Sequence, residues 1–138
     1  MIKIYLDIDG VLLTAKHTQA AQGVDDFVDF VTAHFECYWL TTHCKGDSKS
    51  AIKYLMQFMQ PATTEKLKAA VHPTNWDALK TEALDFETDF YWLDDKPLQV
   101  EQARLKENGV SDRLILVNLE IPNELAIVSL ELKYLLEP

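Results

Sequence analysis

The segment Asp7-Ile8-Asp9-Gly10-Val11 comes directly after the apolar stretch Ile2, Ile4, Tyr5, Leu6. It puts two carboxylates where a buried strand stops and a tight turn begins. Paired carboxylates in such a place are costly to keep charged unless a cation or a chemical task rewards them. The chemistry within their reach is metal ligation, nucleophilic attack and proton transfer. The spacing alone does not decide, because Asp-x-Asp also occurs in metal-binding glycosyltransferase loops and in turns with no function.

The order of the polar clusters further along the chain narrows the reading. A second apolar run, Tyr38-Trp39-Leu40, ends in Thr41-Thr42; Lys80 falls on a predicted helix; and a third run, Phe90-Tyr91-Trp92-Leu93, ends in Asp94-Asp95. Three strands each finish in polar residues. In an open parallel α/β sheet, ligands bind in the crevice outside the carboxyl ends of the strands, so all three clusters are expected to meet there. This ordered set resembles the haloacid dehalogenase superfamily of phosphohydrolases. The resemblance spans residues 2 to 95, with all four motif positions in family order.

That resemblance implies a role for each residue. Asp7 takes the position of the nucleophile, where a strand-end carboxylate attacks phosphorus and forms an aspartyl-phosphate. Asp9 takes that of the general acid and base; its presence marks phosphatases and phosphotransferases rather than true dehalogenases. Gly10 supplies the backbone freedom needed after the pair and belongs to the phosphate-binding turn. Asp94 and Asp95 bring the crevice to four carboxylates, which cannot all stay ionised without a counter-cation. A hard divalent ion, Mg²⁺, answers this, held by the side chains of Asp7 and Asp94, the backbone carbonyl of Asp9, and Asp95 through water.

Thr41 is the preferred second-motif residue, donating to phosphoryl oxygens, with Thr42 as the competing assignment. Lys80, fourteen positions before Asp94, is the preferred third-motif cation, with Lys45, Lys66 and Lys68 as rivals. His43 and Cys44 read as rim residues, being too few for a zinc site and without a third group to orient a catalytic pair. His17 reads as part of a flap over the site. Each residue also has a plainer reading: a capping aspartate, a loop hydroxyl, a solvated lysine, or an acidic turn before Pro97.

Periodicity places the elements that position these residues. Asp25 to Phe35 and Ser48 to Met59 carry apolar side chains at helical spacing, with Pro61 closing the second, and residues 64 to 71 add a short helix. Thr74-Asn75-Trp76-Asp77 fits a capping box ahead of a helix from Asn75 to Leu84. A further helix runs from Leu98 to Asn108 and stops at Gly109. Leu114 to Val117 reads as a fully buried strand, and Leu125, Val128, Leu132 and Leu135 stripe the last helix. Trp39 and Trp92 read as core, and Asp85, Glu87 and Asp89 as a solvated connection. Strands alternating with helices predict a three-layer, Rossmann-like α/β domain with a mostly parallel sheet. The stretches between motifs are used up by these elements, so no separate cap domain is expected.

Composition bounds the rest. With 138 residues, 48% of them hydrophobic, the chain suits one domain with a single sizeable core. A net charge of −9, from 22 acidic and 13 basic side chains, disfavours nucleic acid and anionic membranes as partners. No apolar stretch reaches the ~20 residues of a membrane helix. Cys37 and Cys44 are too few for a disulfide framework, and no leader precedes the first strand, which reads as a reduced, cytoplasmic protein.

The function these readings lead to is Mg²⁺-dependent hydrolysis of a phosphorylated substrate. Without a cap, a larger substrate or a homo-oligomer partner is expected to complete the site. The alternatives are a domain that binds phosphorylated ligands without turnover, and a phospho-accepting receiver domain. The receiver order differs, because its lysine comes last.

Overall fold

The computed structural model describes residues 1–137. The chain is an α/β domain built on four parallel strands, β1 (Lys3–Leu6), β2 (Glu36–Trp39), β3 (Phe90–Asp94) and β4 (Leu114–Leu116), in the order β2-β1-β3-β4. Five helices connect and cover them: α1 (Val24–His34), α2 (Lys49–Leu55), α3 (Pro61–Ala70), α4 (Gln99–Glu107) and α5 (Glu124–Leu136). Among the described residues no cap domain interrupts this arrangement. None of the described helices is long and apolar enough to cross a membrane.

Alternation along the strands sorts the core into two layers. Ile4, Leu6, Cys37, Trp39 and Leu93 pack with α1, α2, α3 and α5 on one face, while Tyr5, Phe90 and Trp92 pack with Leu105 of α4 on the other. Trp39 and Trp92 are fully buried, as the strand pattern predicts. Register then aligns the strand ends: Leu6 pairs with both Trp39 and Leu93, so the residues after them emerge together. The Asp7 amide donates to the Leu93 carbonyl and the Leu40 amide to the Leu6 carbonyl. Cys37 and Cys44 are free, buried thiols.

Five local expectations are corrected. The helix predicted from Asn75 to Leu84 is an irregular segment ending in one 3₁₀ turn, Lys80–Ala83. Thr74 does not cap it: its hydroxyl donates to the Trp39 carbonyl, and the Glu82 carboxylate instead accepts from the amides of Asp77, Ala78 and Leu79. Those three bonds to the charged form hold the Glu82 carboxyl below its ordinary range. Pro61 opens α3 from its first turn, where a missing N–H costs nothing, instead of closing α2, which ends at Leu55. α3 therefore begins earlier than residue 64. β4 is an edge strand, not a fully buried one: Leu116 is 59% exposed.

Candidate functional site

The site lies at the carboxyl ends of β1, β2 and β3. Asp7 directly follows β1 and is nearly buried; Asp94 ends β3 and is more so. Lys80 reaches in from the 3₁₀ turn and places its Nζ between them, 3.2 Å from Asp7 Oδ2 and 2.7 Å from Asp94 Oδ2. Its own backbone is pinned by Glu101 of α4, whose carboxylate accepts from the Lys80 amide at 2.6 Å and the Leu98 amide at 2.9 Å. The second oxygen of each aspartate is held by the backbone: Asp7 Oδ1 accepts from the Ile8 amide and Asp94 Oδ1 from the Lys96 amide. Both carboxylates are thus fixed in rotation.

Charge in this pocket does not balance. Burial works against the Lys80 ammonium, but Asp7 and then Asp94 outweigh it and hold its pKa above the ordinary value. The same ammonium does not suffice for Asp7, whose pKa burial and the neighbouring Asp94 push up to about 7. One cation faces two buried carboxylates, and Asp95 adds a third, itself raised by burial and by Asp94. Asp7, Asp94 and Asp95 each offer an oxygen within 4.8 Å of the others. An oxygen-only donor set with surplus negative charge is what a hard divalent cation requires, so the residues fit Mg²⁺.

Gly10 sits against this cluster with φ +84°, and a Cβ there would lie 2.2 Å from the Asp95 carboxyl carbon. Only glycine leaves room for Asp95. The Gly10 amide donates to the Leu13 carbonyl, which closes the turn into a flap. Thr14 and Gln19 tie the base of that flap, and His17, exposed and at φ 51°, lies at its tip.

Thr41 is fully buried at the end of β2, and its hydroxyl accepts from the His43 amide at 3.3 Å. Thr42 is exposed. Among the described residues no acceptor takes the Thr42 amide, so the turn presents a free donor. The rival lysines are elsewhere: Lys45 donates to the Asp77 carbonyl and lies over Trp76, and Lys66 pairs with Asp29. Lys68 lines a separate groove along α2 and α3. Cys44 is buried behind the turn, and its thiol donates to the Thr74 carbonyl.

Asp9 faces the rim and has two partners of its own. Its Oδ2 is 2.8 Å from His43 Nε2, and its Oδ1 accepts from the Tyr54 hydroxyl at 2.9 Å. The His43 and Tyr54 rings stack, with centroids 4.1 Å apart and planes 15° from parallel. Burial and then the Asp9 contact raise the Tyr54 phenol pKa, so it stays a donor. Tyr54 escapes sequence reasoning because its helix is read through the apolar face of Ile52 and Leu55. Nothing in the chain near Tyr54 signals that it meets Asp9. No family model, curated protein or solved structure matches this chain.

Proposed function

We propose that this chain is a Mg²⁺-dependent phosphohydrolase of the haloacid dehalogenase type, with Asp7 as nucleophile and Asp9 as general acid and base. The observation that carries the reading is the Lys80 ammonium bridging Asp7 and Asp94 while Asp9, two residues on, faces the open rim. A lysine serving only stability has no need to be held by Glu101 over two carboxylates at a ligand crevice.

In this mechanism an Asp7 carboxylate oxygen attacks the phosphorus of a bound monoester. As the new O–P bond forms, the bond to the alcohol oxygen breaks, and protonated Asp9 gives that oxygen its proton. Asp9, now a carboxylate, takes a proton from water; the water oxygen attacks phosphorus, the Asp7–phosphorus bond breaks, and phosphate leaves. In this reading Lys80 and the Thr42 amide donate to the phosphoryl oxygens. Bound Mg²⁺ would supply charge stabilisation of the transferred group and keep Asp7 ionised.

A panel of phosphate monoesters, assayed with and without Mg²⁺ on wild type, Asp7→Asn and Asp9→Asn, tests this. Turnover is expected only with Mg²⁺, and is expected to be abolished in Asp7→Asn. Mg²⁺ and phosphate binding with no turnover across the panel would favour a binding domain instead. Hydrolysis that survives chelation or Asp7→Asn would remove the proposed chemistry.

A further inference from the structure

Positive charge is placed unevenly over this acidic chain. Seven of its 13 basic side chains pair with a carboxylate or lie over an aromatic ring, as Lys80 and Lys45 do, and Lys49, Lys53 and Lys68, which do neither, line the groove along α2 and α3 away from the site. Lys16 and Lys96 have no carboxylate partner among the described residues, and both line one cleft of about 650 Å³. This cleft opens against Gly10 and Asp95, so it adjoins the reaction site. A cleft of that size accommodates far more than a phosphoryl group.

Its walls differ in character from the site beside it. Ala15 of the flap, Leu116 at the end of β4 and Leu119 beyond it give an apolar surface, which explains why Leu116 stands 59% exposed on an edge strand. Asn118 Oδ1 accepts from the Glu120 amide, which leaves its NH₂ group free to donate. Among the described residues, Glu120 is the one carboxylate on the walls outside the Asp7, Asp94 and Asp95 cluster, against two unpaired ammonium groups. Lys80 is engaged at the Asp7 and Asp94 carboxylates, whereas Lys16 and Lys96 line the cleft beside them.

We infer that this cleft receives the alcohol portion of the substrate, and that this portion is an apolar body ending in a second anionic group. The inference rests on the phosphohydrolase reading for calling the neighbouring group a phosphoryl. An uncharged alcohol portion would gain only the apolar wall. One ending in a carboxylate or a second phosphate gains charge-assisted contacts at Lys16 and Lys96 as well, and this discriminates substrates.

Calorimetric binding of non-hydrolysable phosphonates in the presence of Mg²⁺ tests this without requiring turnover. The probes are benzylphosphonate, 4-(phosphonomethyl)benzoate and p-xylylenediphosphonate. Two partly exposed ion contacts make the probes with a second anion about tenfold tighter than benzylphosphonate. That advantage is expected to vanish in Lys16→Ala/Lys96→Ala, and the tighter of the two probes with a second anionic group identifies that group as carboxylate or phosphate. Equal affinity of all three for wild type, an advantage that survives the double substitution, or no binding at all overturns the inference. Hydrolysis of p-nitrophenyl phosphate is measured alongside: its absence strikes the phosphohydrolase reading while the phosphonate affinities still decide the cleft.

Discussion

Tyr54→Phe removes one oxygen atom, and its effect should depend on the leaving group. The Tyr54 hydroxyl holds Asp9 Oδ1 at 2.9 Å, while His43 holds Oδ2 from the other side. A hydrogen bond to a charged group is worth about 1.5–3 kcal/mol, but the Asp9 side chain is 42% exposed, so water recovers part of it. We take roughly 1–2 kcal/mol as the cost of releasing Asp9 from its working orientation, or about 5- to 30-fold in rate. Only a substrate whose leaving oxygen needs a proton feels that cost at cleavage. Steady-state kinetics on an alkyl phosphate and on p-nitrophenyl phosphate should therefore show kcat/KM falling about 5- to 30-fold for the first and much less for the second. An equal fall for both esters would mean that Tyr54 acts through general structure, and no fall for either would refute the positioning argument.

Charge balance and the Gly10 turn lead to further expected outcomes. Lys80→Met leaves Asp7 and Asp94 without their shared cation; metal-free protein at about pH 8 is expected to lose about 3–5 kcal/mol in urea unfolding, with Mg²⁺ restoring part of it. Asp7 holds its proton to about pH 7 in the folded chain, against 3.8 without burial and these neighbours. A raised acid stabilises the fold fully below its unfolded value, and that contribution, roughly 4 kcal/mol at most, is lost as pH rises from 3.8 to about 7. Thermal melts of metal-free protein should show this decline, and saturating Mg²⁺ or Asp7→Asn should flatten it. Gly10→Ala forces a Cβ onto Asp95 at positive φ; a loss of about 1–3 kcal/mol and weakened Mg²⁺ affinity by calorimetry are expected.

The strand ends are legible in the chain because each apolar run stops at a polar residue, and parallel register carries those stops to one edge. Distance from Asp94 singles out Lys80, although the helix predicted to carry it does not form. There, Glu82 satisfies three amides of an irregular segment, and side-chain competition of that kind does not show in periodicity. Leu114 to Val117 is apolar throughout, and composition cannot tell a central strand from an edge strand whose Leu116 faces a cleft. Asp9 and Tyr54 are 45 residues apart in sequence. Their bond joins α2 to the turn that follows β1, a tertiary contact with no local signature.

In the proposed mechanism Asp7 becomes phosphorylated during turnover. Quenching a turning-over sample with borohydride reduces an acyl phosphate to a primary alcohol, and peptide mass spectrometry then locates the altered side chain. Modification at Asp7, dependent on substrate and Mg²⁺, is the expected result. Phosphate release with no modification at Asp7, or with modification at another carboxylate, would contradict it.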